Sequence, residues 1–180
     1  MDFHHHLSID PSVKSCGWAL YSVPPGIITR DHLNHLWNWQ FGTIKTAGKT
    51  YEWQLVELRE FFRQFQSFNI QSLVIEMPGF YNSETGRIAA KQGYTIGLGA
   101  VAGVVIGVLN IPSDRIFLYT APQWKGTTPK WVSYKKLVRI FADTYIHHDP
   151  PINLEHQDDT VDAIMLLHYH IMFYYKLNPP

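Results

Sequence analysis

Three strand-like patterns precede the first helical one, and that order constrains the fold more than any other feature of the chain. Residues 5–10 read as a short strand that closes on Asp10-Pro11. Residues 16–22 form a second run, broken by Pro24-Pro25-Gly26. Trp37, Trp39 and Phe41 then alternate with Asn38, Gln40 and Gly42, which predicts a third strand with one buried face. Tyr51, Leu55, Leu58, Phe62 and Phe65 recur at helical spacing, with Glu57, Glu60 and Arg63 between them. Residues 72–76 predict a fourth strand that ends in Glu76, followed by Met77-Pro78-Gly79. An uncharged helical stretch comes next, then a fifth strand at 115–119 and a loop at 121–131 that carries Trp124, Lys125 and Trp131. A helix near 133–145, a Pro-bearing linker at 147–155 and a last helix from 158 to about 176 complete the chain. The order β-β-β-α-β-α-β-α-α predicts an α/β fold, a mixed five-stranded sheet with helices on both faces.

At 180 residues with no internal repeat, the chain reads as a single domain over 1–180. Its 46% hydrophobic and 17% charged residues exclude a largely disordered polymer. Cys16 is the one cysteine, so no intrachain disulfide can form and a reducing, cytoplasmic setting fits. The N-terminus lacks the basic start and apolar run of a secretory signal. Residues 92–113 hold no charged side chain, a run as long as a bilayer span. Gln92, Tyr94, Thr95, Asn110 and Pro112 sit toward its ends, and Leu and Phe are scarce, so a buried, tightly packed helix is the expectation and a membrane is not. Gly99, Gly103 and Gly107 follow the small-xxx-small spacing of close helix packing, which suits contact with a second subunit.

The formal charge is zero, with 15 basic and 15 acidic residues, yet the signs are segregated. Between 114 and 139 lie six bases, Arg115, Lys125, Lys130, Lys135, Lys136 and Arg139, against one acid, Asp114. From 140 onward lie six acids, Asp143, Asp149, Glu155, Asp158, Asp159 and Asp162, against one base, Lys176. Such opposed blocks suit a polyanion-binding surface beside carboxylates that await cations, and they also suit two plain solvated faces.

The acids stand where chemistry places them. Asp10 ends the first strand and Glu76 the fourth, and sites in open α/β sheets form beyond strand ends. Asp158, Asp159 and Asp162 open the final helix, where Asp162 can share a face with either of the other two. Taken singly, Asp10 reads equally as a turn residue and Asp158 as a helix cap. Glu76 after Leu73-Val74-Ile75 is costly to bury unless it has a partner. If these carboxylates converge they repel one another unless hard cations neutralise them, and oxygen-only ligation suits Mg²⁺ or Mn²⁺.

Leu7-Ser8-Ile9-Asp10-Pro11-Ser12 followed by Gly17-Trp18-Ala19 resembles the first strand and turn of RuvC-type Holliday junction resolvases. Leu73-Val74-Ile75-Glu76 resembles their second acidic strand, and His156-Gln157-Asp158-Asp159-Thr160-Val161-Asp162-Ala163 their closing helix. The three motifs follow in the family's order and extend over nearly the whole chain. The resemblance implies the RNase H-like fold, with Asp10, Glu76, Asp159 and Asp162 as catalytic ligands of two Mg²⁺ ions, for which Mn²⁺ substitutes. It implies assistance from His156, Asp158 or Lys125. It also implies a homodimer that binds four-way junction DNA and nicks two strands symmetrically, leaving 5′-phosphate and 3′-hydroxyl ends, in the cytoplasm of a bacterial or phage-infected cell. Phe80 and Tyr81 then fall where the family stacks an aromatic residue on bases at the crossover, and Lys125, Lys130, Lys135 and Lys136 where it places lysines near the scissile phosphate. Lys14, Arg87 and Lys91 are further candidate phosphate contacts. Ser12 departs from the glycine frequent after the family's Asp-Pro pair, which alters the turn and not the ligand.

Other functions fit the same residues less well. A related nuclease could keep this site and cut other branched DNA or an RNA–DNA hybrid. A binding module that has lost cleavage is disfavoured by the presence of all four carboxylates. A sugar-kinase or actin-like ATPase also opens on Asp and Gly, but is much longer and needs glycine-rich phosphate loops that this chain lacks.

Overall fold

The computed structural model describes residues 3–26, 28–29, 32–33, 35, 38–77, 94–126 and 158–177. Five strands are present: β1 (His4–Asp10), β2 (Ser15–Val23), β3 (Trp39–Lys45), β4 (Ile70–Met77) and β5 (Ile116–Thr120). The helices among the described residues are α1 (Tyr51–Arg63), α2 (Tyr94–Leu109), the short α3 (Ala121–Trp124) and α4 (Asp158–Tyr174). The sheet order is β3-β2-β1-β4-β5. The first three strands form an antiparallel meander, and β4 and β5 add in parallel to β1, so the sheet is mixed as the element order predicts.

Alternation along the strands divides the apolar residues between two layers. Leu7 and Ile9 of β1, Cys16 and Leu20 of β2 and Leu73 and Ile75 of β4 pack on Leu58 and Phe62 of α1 and Val101 and Val105 of α2. Ala19, Tyr21, Trp39 and Val74 face the other way, onto Val161, Ile164, Leu167 and Ile171 of α4. Strand parity therefore points Ser8 toward α4, where its Oγ donates to the Ala163 carbonyl at 2.6 Å. The same parity puts Asp10 and Glu76 on the α4 side of the sheet.

Helix α1 is rotated slightly from the expected stripe. Gln54 is buried and Tyr51 is 42% exposed. The cause is polar: Gln54 Nε2 donates to the carbonyls of Thr46 and Lys49, closing the turn between β3 and α1. The loop expected from 121 instead begins with α3, whose capping box joins Thr120 to Gln123 and places Pro122 in the first turn. Among the described residues no helix is long and apolar enough to cross a membrane. The expected helix near 133–145, together with Trp131, lies outside the described residues.

Candidate active site

The site forms at one end of the sheet. Register sets Ile9 beside Ile75 on the adjacent parallel strands β1 and β4. Asp10 and Glu76 follow as the next residues on strands about 4.8 Å apart. Across β1 on its other side, Asp10 pairs with Gly17 of β2. A Cβ built on Gly17 would lie 2.0 Å from the Asp159 carbonyl oxygen and 2.3 Å from its carbon. Only glycine therefore lets the first turn of α4 rest directly on the β2 backbone. Ser15 Oγ donates to Asp159 Oδ2 at 2.6 Å, and the hydroxyls of Thr43 and Thr160 are hydrogen-bonded. With the Ser8 bond to Ala163, these contacts tie the start of α4 to three strands and carry Asp159 and Asp162 to the strand ends.

The remaining contributor comes from the residues after β5. Glu76 pairs with Tyr119 across β4 and β5, so α3, which begins at once, swings over Glu76. Trp124 Nε1 donates to Glu76 Oε2 at 2.8 Å. Lys125 Nζ donates to Asp162 Oδ2 at 2.9 Å and stands 3.9 Å from Glu76 Oε2. It also lies over the Trp124 ring, 4.8 Å from the centroid. Burial by itself would lower the Lys125 ammonium. The hydrogen bond to Asp162 and the charges of Glu76, Asp162 and Asp10 outweigh that, and its pKa is raised. Cys16 beneath the site is inert: burial pushes its thiol up to about 12, the bond from Ser12 acting the other way and the Asp10 and Asp159 charges adding to the rise.

The donor chemistry fits a hard divalent cation, because the groups at this strand end are carboxylates and two of them, Glu76 and Asp162, already share a positive charge. Among the described residues, however, no three of His, Cys, Asp and Glu close on one point at ligand distance. The Lys125 ammonium stands between Asp162 and Glu76, and Asp159 is held by Ser15. A cation that engaged these carboxylates would have to share or displace that ammonium.

The structure thus brings Asp10, Glu76, Asp159, Asp162 and Lys125 to one end of the sheet, with Lys14 exposed on the adjacent β1–β2 turn. The side chain of Asp158 and all of His156, Phe80, Tyr81, Arg87, Lys91, Lys130, Lys135 and Lys136 lie outside the described residues. Arg115 of the basic block is spent inside the fold, on the Ile70 carbonyl at 3.2 Å. Sequence reasoning missed Ser15, which no motif marks, and the tie between Trp124 and Glu76. The capping pattern of Thr120 to Gln123 was the available signal for the latter.

No family model matches the chain, and no curated protein matches it. Solved structures do. Thermus thermophilus RuvC in complex with a Holliday junction substrate is similar at 15% identity and a TM-score of 0.64, covering 96% of this chain and 96% of that one. A second Thermus thermophilus RuvC structure is similar at 14% identity and a TM-score of 0.57, covering 96% of this chain and 97% of its own. A mixed sheet of three antiparallel strands extended by two parallel ones, with helices on both faces, is the architecture they share, and the chain therefore has the RNase H-like α/β fold of the RuvC structures.

Proposed function

We propose that the protein is a divalent-metal-dependent nuclease that cuts branched DNA, with four-way junctions as its substrate and paired symmetric nicks as its product. One observation carries the reading. At the strand end where β1 delivers Asp10, Glu76 of β4 and Asp162 of α4 share the Lys125 ammonium, although these residues are far apart in sequence. A structural ion pair needs one acid per base, whereas Lys125 is shared by two acids among the described residues, an arrangement that an added cation suits. Asp10, Glu76, Asp159 and Asp162 are the residues that would hold Mg²⁺ or Mn²⁺, with room in the donor count for two ions. When bound, such ions stabilise the attacking and leaving oxygens of a phosphodiester in an in-line displacement.

The chain's own residues have separable tasks in this reading. Glu76 is oriented by the Trp124 indole and Asp159 by the Ser15 hydroxyl. Lys125 balances charge before cations arrive and then faces the negative phosphate of the strand to be cut. Its 5′-phosphate and 3′-hydroxyl products follow from attack on phosphorus by water from the side opposite the 3′ oxygen. A two-fold junction calls for a two-fold enzyme. The face of α2 that bears Ile96 and the glycines is the proposed dimer contact: Ile96 is 75% exposed, and among the described residues a Cβ at Gly99, Gly103 or Gly107 would meet nothing within 4 Å.

The test is cutting of a labelled synthetic four-way junction against a linear duplex and an RNA–DNA hybrid, with Mg²⁺ and with EDTA. Paired nicks confined to the junction, dependent on metal and lost in Asp10→Asn and Asp162→Asn while junction binding persists, are the expected result. Junction binding by the wild type with Mg²⁺ or Mn²⁺ and no cutting of any probe would overturn the reading.

A further inference from the structure

Beside the acidic cluster, an open trough of about 860 Å³ runs between the end of β3 and the first turns of α1, lined in part by Ile44, Lys45, Lys49, Trp53, Glu57 and Phe61. Trp53 is 63% exposed, an unusual position for so large an apolar ring. The carboxylates on its rim are already neutralised. Glu57 is paired with Lys49, and Glu60 with Arg59 and Arg63. Lys45 and Lys14, both exposed, have no ion pair among the described residues.

Register connects this trough to the site. Lys45 pairs directly with Ser15, and residues paired across strands project from the same face. Ser15 faces α4, since its hydroxyl reaches Asp159. Lys45 therefore projects on the face that carries the carboxylates, one strand outward, about 5 Å from Ser15. Its neighbour Ile44 points the other way, packs with the core under α1 and floors the trough. Lys14 adjoins them, because Thr46 N donates to the Lys14 carbonyl at 3.1 Å. Two lysines thus mark a path that leaves Asp159, crosses the β3 edge and arrives at an exposed indole.

We propose that the trough is a nucleic-acid strand subsite, in which the sugar-phosphate backbone passes over Lys14 and Lys45 and a base stacks on Trp53. The inference rests on the nuclease reading and extends it, by naming where the strand runs beyond the scissile phosphate. Lysines supply the sequence-independent attraction to phosphate, and an exposed aromatic face accepts any base. An apolar floor of Ile44, Val56 and Phe61 suits the edge of a base better than a second phosphate.

The experiment is fluorescence anisotropy of the full chain with two labelled probes, a short oligothymidylate and a four-way junction, in EDTA so that no cutting intrudes, over a salt series. Trp53→Ala should weaken binding of both roughly tenfold without altering the salt dependence, and Trp53→Phe should restore most of it. Lys45→Gln should lower the slope of log affinity against log salt by about 0.9 on the junction and about 0.7 on the single strand. Lys176→Asn, beyond the far end of α4, should change neither. Thermal melting of each variant guards against loss of fold, which Trp53 and Lys45 at the surface should not cause. If the wild type binds and Trp53→Ala and Lys45→Gln bind as it does, the subsite is wrong while the nuclease reading stands. If the wild type binds neither probe, both fall.

Discussion

Lys125→Met keeps the length of the side chain and removes its charge, and the consequence can be worked from the site. The Lys125 side chain is 16% exposed, that of Asp162 3% and that of Glu76 15%, so the ion pairs are largely shielded from water. Removing one partner of a buried pair costs about 3–5 kcal/mol, because the other charge stays behind. Here Glu76 keeps the Trp124 indole, and the ammonium is partly solvated, so about 2–4 kcal/mol is expected. In a chain of this size each kcal/mol moves the melting temperature by about 2–4 °C, which gives a fall of about 5–15 °C in EDTA. Mg²⁺ or Mn²⁺ supplies positive charge to the same carboxylates and no longer competes with the Lys125 ammonium in the variant. The metal should therefore raise the melting temperature of Lys125→Met by several degrees more than that of the wild type. Junction cutting should fall even at saturating metal, since the charge facing the phosphate is gone. The assay is thermal melting followed by circular dichroism, with EDTA and across a metal titration. A variant that melts with the wild type in EDTA and gains no more from metal would refute the idea that ammonium and cation compete for one carboxylate cluster.

Three further perturbations follow from other parts of the fold. Gly17→Ala drives a methyl into the Asp159 backbone, so α4 must shift. Stability should fall by about 1–3 kcal/mol and cutting should be lost, as read by urea denaturation and the junction assay. Burial, with smaller contributions from neighbouring imidazoles, lowers His6 to about 3, and burial lowers His170 to about 4. Their unfolded value is 6.5, so the unfolded chain takes up protons that the folded one refuses. Stability is complete above that value and is lost as pH falls toward 4. His170 alone gives a loss of about 2 kcal/mol at pH 5, visible as a lower urea midpoint, and His170→Phe should shrink the fall. Ile96→Glu places a charge on the face of α2 that bears Ile96 and should convert a dimer to monomers in light scattering, with the melting of the protomer unchanged.

Much of this architecture was legible because its signals are local. A period of two in Trp39, Gln40 and Phe41 reports a half-buried strand wherever that strand sits, and a carboxylate after Leu73-Val74-Ile75 reports a strand end that needs a partner. What escaped was set by contacts between distant segments. Gln54 displaces Tyr51 from the buried stripe of α1 because two carbonyls of the preceding turn need a donor, and helical spacing carries no trace of that need. Asp158 and Asp159 are equivalent by spacing relative to Asp162. Asp159 is engaged by Ser15, a residue on β2 that lies outside every motif. The requirement at Gly17 is likewise invisible until α4 lies across it, for the glycine serves a helix that begins 141 residues later.

That division has a consequence for catalysis that can be tested at Ser15. The start of α4 is held by polar contacts, Ser8 to Ala163, Ser15 to Asp159 and Thr43 to Thr160, while the rest of the helix packs through Ile164, Leu167 and Ile171. Apolar contacts supply most of the stability and tolerate small slips, whereas hydrogen bonds of fixed direction set the register of the end that carries the acids. Ser8 and Ser15 then differ in kind. Ser8 is fully buried and bonds a backbone carbonyl that already belongs to a helix, so Ser8→Ala should cost about 1 kcal/mol and act on cutting only through fold. Ser15 is half-buried and bonds a carboxylate of the proposed site that water can solvate in its place, so Ser15→Ala should cost less than about 1 kcal/mol. Its effect should fall on turnover at saturating metal, because Asp159 would then sample several orientations. Equal turnover in Ser15→Ala and the wild type, at matched stability, would show that Asp159 is positioned by the helix alone and that the hydroxyl contributes only to the docking of α4.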